Sequence, residues 1–179
     1  IKICDHIVFN TFAQYEKHKE RIRHSNKKIE VGIRINPEYS EIETNMYDPC
    51  FTNSRLGTVL SQFDEDKLDG IDGLHFHAMC EQNSDTLSRI LDVVEQKFDK
   101  YLHRMKWVNF GGGHHITRPD YDVDLLVDSI IRIRDKYNVK VYLEPGEAIA
   151  LNTGFLVTEV LDVLKNNMNL AIIDASAAC

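Results

Sequence analysis

The chain has 179 residues, 43% of them hydrophobic, which suits one domain with a substantial core. Twenty-one basic residues against 28 acidic ones give a formal charge of −7, which argues against a nucleic-acid footprint. Cys4, Cys50, Cys80 and Cys179 form no CxxC pair, there is no signal-peptide pattern, and no apolar run approaches the roughly 18 residues of a membrane span. A soluble protein of a reducing, cytoplasmic compartment is therefore expected.

In chain order, His6–Phe9 reads as a short apolar strand, and Asn10 can cap a helix running through about His24. Ile29–Asn36 alternates β-branched residues and stops at Pro37, which cannot continue a ladder. Glu38–Ser54 is a long, polar, aperiodic loop, a length that tends to accompany function or mobility. A short helix is expected after Gly57, and Ile71–His77 is the next strand. Ser84 reads as an N-cap, behind which Leu87, Ile90, Leu91, Val94, Phe98 and Tyr101 keep a helical stripe.

Lys106–Phe110 is a buried-type strand, and Leu126, Ile130, Ile133 and Tyr137 mark another amphipathic helix. Val139–Leu143 follows as a strand, and Phe155–Leu164 and Leu170–Asp174 are two more. Strands alternating with helices predict a parallel sheet with right-handed crossovers. Five or six such units fit part of an eight-stranded α/β barrel better than a complete open sheet. The start at Ile1 without Met, and the stop at Cys179 just after an apolar run, suggest the middle of a longer enzyme.

Three strand ends carry chemistry: Gly73-Leu74-His75-Phe76-His77, Trp107-Val108-Asn109-Phe110-Gly111-Gly112-Gly113 and Val141-Tyr142-Leu143-Glu144-Pro145-Gly146. His77 and Gly111 are 34 residues apart, and Gly111 and Glu144 are 33 apart. A strand, a crossover helix and two loops need roughly 30 residues or more, so the three segments arrive at one rim. Strand ends on one rim are where such barrels keep their chemistry.

Gly111-Gly112-Gly113 suits a phosphate cradle, or simply a tight turn that needs positive φ. Glu144 can serve as acid or base, metal ligand, rim ion pair, or partner of a protonated ring nitrogen. His75 and His77 face one way and Phe76 the other, so a histidine can stack on a flat cofactor. With His114 and His115 nearby, a metal-dependent barrel hydrolase using His75, His77 and His114 is a further reading. Arg34 ends a strand and can be buried against a carboxylate such as Glu144, while Asp174 can cap the turn after it.

Taken together, Arg34-Ile35-Asn36-Pro37, Gly73-Leu74-His75-Phe76-His77, Asn109-Phe110-Gly111-Gly112-Gly113 and Glu144-Pro145-Gly146 resemble the fold-type III pyridoxal-phosphate decarboxylases. The resemblance runs across nearly the whole chain. Within the group, His77-Ala78-Met79-Cys80-Glu81-Gln82, Gly113-His114-His115-Ile116-Thr117, Glu144-Pro145-Gly146-Glu147-Ala148 and the closing Ile173–Cys179 most resemble the branch acting on carboxynorspermidine and carboxyspermidine. A diaminopimelate-decarboxylating relative of the same fold is the nearer alternative.

The resemblance implies a (β/α)8 barrel of the alanine racemase/ornithine decarboxylase type. Residues 1–179 would be its central portion, with the first strands, the cofactor lysine and most of a C-terminal β domain lying elsewhere. It implies that pyridoxal 5'-phosphate has His77 against its ring, Gly111, Gly112 and Gly113 at its phosphate with Cys80 nearby, Glu144 at the ring nitrogen and Arg34 behind the ring. Diaminopimelate and ornithine decarboxylases carry Arg where Glu147 stands. A carboxylate there suits a substrate with a distal protonated amine, and Asp174 would add a second anionic contact. The working enzyme would be a homodimer with shared sites, acting on a polyamine-like small molecule.

Overall fold

The computed structural model describes residues 2–176, so expectations resting on Ile1, Ala177, Ala178 and Cys179 lie outside the described residues. Among those described, β1 (His6–Phe9), β2 (Glu30–Arg34), β3 (Gly73–His75), β4 (Trp107–Asn109) and β5 (Lys140–Tyr142) form a parallel sheet in sequential order. Helices α1 (Phe12–Arg23), α2 (Ser84–Leu102) and α3 (Val123–Tyr137) fill three of the four crossovers. The crossover from β2 to β3 holds only single 3-10 turns, two of them (Leu60–Gln62 and Glu65–Lys67) where a short helix was expected after Gly57.

The caps sit one residue from where composition alone put them. Thr11, not Asn10, caps α1, its hydroxyl accepting from the Gln14 amide at 3.2 Å; the Asn10 amide donates to the Gln14 side chain at 3.0 Å. Asn83, not Ser84, caps α2, because its side chain also accepts the Asp122 amide and donates to the Asp120 carbonyl. That one asparagine joins the start of α2 to the start of α3, and a cap of this kind contributes about 1 kcal/mol.

The helical stripe of α2 is buried as its period requires: Leu87, Ile90, Leu91, Val94 and Phe98 pack into the layer above Ile33, Leu74 and Val108. Each such side chain stabilises the fold by about 2 kcal/mol. The opposite face of the sheet is filled by Trp107. Its indole lies where a Cβ on Gly32 or Gly73 would be, which is why two adjacent strands carry glycine there. His6 and Tyr142 meet the same indole edge-on, with ring centroids at 5.4 and 6.0 Å.

The register places Arg34, His75, Asn109 and Tyr142 in one row across β2 to β5. Beyond that row the chain stays ladder-like, with Phe76 N bonded to Asn109 O at 3.0 Å and Phe110 N to Tyr142 O at 2.9 Å. The Glu38–Ser54 loop is anchored at Glu41, which accepts from Tyr39, Thr86 and twice from Arg89 of α2. The Arg89 guanidinium holds this carboxyl down to about 2.

From Ala150 onward the chain forms a second compact unit. There β6 (Val160–Asn166) and β7 (Met168–Ile173) pair antiparallel with each other, so the expectation that these strands continue the parallel series is corrected. Asn167, between them, takes φ +59°, and a single left-handed residue lets the chain reverse within a hairpin too short for a crossover helix. The Asp174 carboxylate accepts from the Glu159 amide at 2.8 Å at the open end of the hairpin, and the turn it was expected to cap runs into residues outside those described.

Candidate active site

The rim loops that follow β3, β4 and β5 enclose a cavity of about 430 Å³, lined among others by His77, Cys80, Gly112, Gly113, Glu144 and Glu147. Gln82 holds two of these loops together. Its amide donates to Gly113 O and its carbonyl accepts from His115 N, at 3.0 and 3.1 Å, while its side chain reaches the Cys80 amide and the Glu41 carbonyl. The sequence motif ending at Gln82 gave that residue no role, since its role depends on which loops become neighbours.

The glycine turn is tight for identifiable reasons. Gly111 and Gly113 have φ of +72° and +85°, and a Cβ on either would run into the carbonyl of Phe76 or Met79. At Gly112 a Cβ would come within 3.0 Å of both the Glu144 carbonyl and the His77 ring. Two of the three amides already have partners: Gly111 N donates to Asn109 Oδ1 at 2.8 Å, and Gly112 N to His77 Nδ1 at 3.3 Å.

Glu144 follows β5, its side chain half exposed. Its Oε1 accepts from Asn109 Nδ2 at 2.8 Å and lies 3.5 Å from His75 Nε2. The His75 ring is buried at 7% exposure, and that burial drives its pKa down to about 4, so it is a neutral neighbour of the carboxylate at pH 7. Burial, then the Arg34 charge, also lowers His77. Arg34 does not pair with Glu144: its Nη2 sits 3.5 Å from the His77 carbonyl, and burial lowers the guanidinium from its usual value.

Glu147, at the start of α4 (Gly146–Ala150), is fixed on both oxygens. Thr117 Oγ1 donates to Oε1 at 2.7 Å, and His115 Nε2 lies 2.7 Å from Oε2. Sequence reading had marked Glu147 but missed Thr117 as its partner.

His75, His77 and His114 do not converge. His75 faces Glu144, His77 takes the Gly112 amide, and His114 is 2% exposed with Nε2 at 3.0 Å from Gly111 O. Among the described residues no three His, Cys, Asp or Glu side chains are placed to hold a metal ion, so the geometry gives the hydrolase reading no site. The residues do fit a flat phosphorylated cofactor. Gly112, Gly113 and Glu144 line the same cavity, and among the described residues the second oxygen of Glu144 takes no donor from the protein.

No family model matches the chain. By homology and by fold, however, it is one of the fold-type III pyridoxal-phosphate decarboxylases, and the partial (β/α)8 barrel expected from sequence is borne out. Its homologues within that class include the carboxynorspermidine/carboxyspermidine decarboxylase of Campylobacter jejuni, 46% identical over 175 residues, or 98% of this chain and 45% of that protein. The carboxyaminopropylagmatine decarboxylase of Synechocystis is 35% identical over 98% of this chain and 46% of its own length. The crystal structure of Campylobacter jejuni carboxynorspermidine decarboxylase complexed with norspermidine superposes with a TM-score of 0.78 at 43% identity, covering 98% of this chain and 44% of that one. The chain thus spans a little under half the length of the curated relatives it matches. Among the described residues, no helix is long and apolar enough to cross a membrane.

Proposed function

We propose that the enzyme built on this barrel decarboxylates carboxynorspermidine and carboxyspermidine to norspermidine and spermidine, in the cytoplasm, using pyridoxal 5'-phosphate. The observation that carries this reading is the pairing of two separately held carboxylates, Glu144 and Glu147, in one cavity beside a glycine turn. The identity to enzymes of that name supports it. When bound, pyridoxal phosphate supplies a ring that accepts the electron pair left as CO₂ departs.

In this reading the chain's own residues act as follows. Gly111, Gly112 and Gly113, with Cys80, would hold the phosphate. Glu144 keeps a proton on the ring nitrogen, His77 lies against the ring, and Arg34 fixes it from behind. Glu147 receives a distal ammonium of the substrate. The parallel strands β1 to β5 are part of the barrel, while from Ala150 onward the antiparallel hairpin forms a unit of its own. The cofactor lysine and the β-rich domain lie elsewhere in the full-length protein, which works as a homodimer with shared sites.

The deciding experiment is CO₂ release by the full-length protein with carboxynorspermidine, carboxyspermidine, carboxyaminopropylagmatine and diaminopimelate in parallel. The two carboxylated polyamines should give the highest kcat/KM; a preference for diaminopimelate would overturn the proposal. In the same assay, Glu147→Arg should raise KM for carboxynorspermidine by about tenfold or more, since a paired cation there is worth roughly 1–2 kcal/mol. An unchanged KM removes Glu147 from the substrate site.

A further inference from the structure

Glu144 has a long side chain, is half exposed, and ends the strand that delivers it. Left alone, it would give up side-chain freedom to hold one direction. Asn109, the last residue of β4, makes that direction fixed. Its Oδ1 accepts the Gly111 amide at 2.8 Å and its Nδ2 donates to Glu144 Oε1 at 2.8 Å. The amide cannot be turned over, because a flip would set an NH₂ against the Gly111 N–H and an oxygen against a carboxylate.

The backbone repeats the connection, with Glu144 N donating to Gly111 O at 2.9 Å. His75 stands at the same Oε1, so both neighbours of Glu144 crowd one oxygen; among the described residues Oε2 takes no donor from the protein. We infer that Asn109 is a positioning residue that ties the phosphate turn to the ring-nitrogen carboxylate, so that one side chain sets both ends of the cofactor's seat. This rests on the reading of Glu144 given above.

The two hands of Asn109 can be separated. Asn109→Asp keeps an acceptor for Gly111 but turns the donor facing Glu144 into a second carboxylate. Asn109→Ala removes both without adding charge, and being small at a part-buried strand end it serves as the check if the aspartate variant folds poorly. The measurement is the ¹⁵N resonance of cofactor labelled at the ring nitrogen, bound to the full-length enzyme, together with the cofactor dissociation constant. Asn109→Ala should move the resonance towards the unprotonated position, whereas Asn109→Asp, which adds a negative charge beside Glu144, should not; both should lower kcat on the order of tenfold, about 1.4 kcal/mol. Only Asn109→Ala should also weaken cofactor binding through the turn.

A wild-type resonance in Asn109→Ala overturns the inference, provided Glu144→Gln shifts it. A wild-type resonance in Glu144→Gln itself sinks the ring-nitrogen reading, and this inference with it.

Discussion

His114 should make the protein lose stability steeply below neutral pH. The ring is 2% exposed; Nε2–H donates to the Gly111 carbonyl, and Nδ1 is buried with no partner among the described residues. Protonating Nδ1 would place an unpaired N–H and a positive charge in that space, and burial accordingly drives the pKa from 6.5 down to about 4. Between those two pH values the unfolded chain binds a proton that the folded chain refuses, so the unfolding free energy rises with pH across that window. The stability is complete above about pH 6.5 and falls away towards pH 4. The loss at the acid end is about 3 kcal/mol, and at pH 5 it is roughly 2 kcal/mol.

The assay is thermal unfolding of full-length protein at pH 7 and pH 5, wild type against His114→Gln. Gln keeps a donor for Gly111 but does not titrate, and every other titrating group is common to both proteins. The wild-type Tm should fall several degrees further than the variant's on going to pH 5. Parallel pH profiles would refute the reasoning.

Two further outcomes follow from contacts already described. Gly73→Ala should destabilise the full-length protein by about 3 kcal/mol, since the new methyl meets the Trp107 indole within a packed layer. Trp107→Leu should recover part of that loss in a denaturation double-mutant cycle, and strict additivity would mean the indole is not what Gly73 makes room for. Thr117→Val should raise KM for carboxynorspermidine about threefold to tenfold by freeing one oxygen of Glu147, while Thr117→Ser stays near wild type. Equal KM values in all three proteins would show that the hydroxyl does not position Glu147.

The sequence was most legible where period and spacing carry the information. The α2 stripe from Leu87 to Phe98 and all five parallel strands stand where their patterns put them, because burial enforces both periods. Caps were harder, since Asn10, Thr11, Asn83 and Ser84 can all cap, and the choice falls to tertiary partners such as Asp122. The final hairpin was misread because apolar strands of that length carry no mark of parallel or antiparallel pairing. Asn109 was within reach: the 34-residue step that separates His77 from Gly111 also sets His75 beside Asn109 in register. Thr117 and Gln82 were not, for their partners come from loop conformations that no periodicity encodes.

The two carboxylates of the cavity are anchored in different kinds of structure. Glu144 is tied to the ends of β3 and β4, while Glu147 is tied to His115 and Thr117 in the loop that follows β4. On the roles proposed above, the carboxylate for the ring nitrogen is rooted in the sheet and the one for the substrate amine in loop. Substitutions between His115 and Thr117, or in the first turn of α4, would then alter which amine is accepted while Glu144 and its partners stay in place.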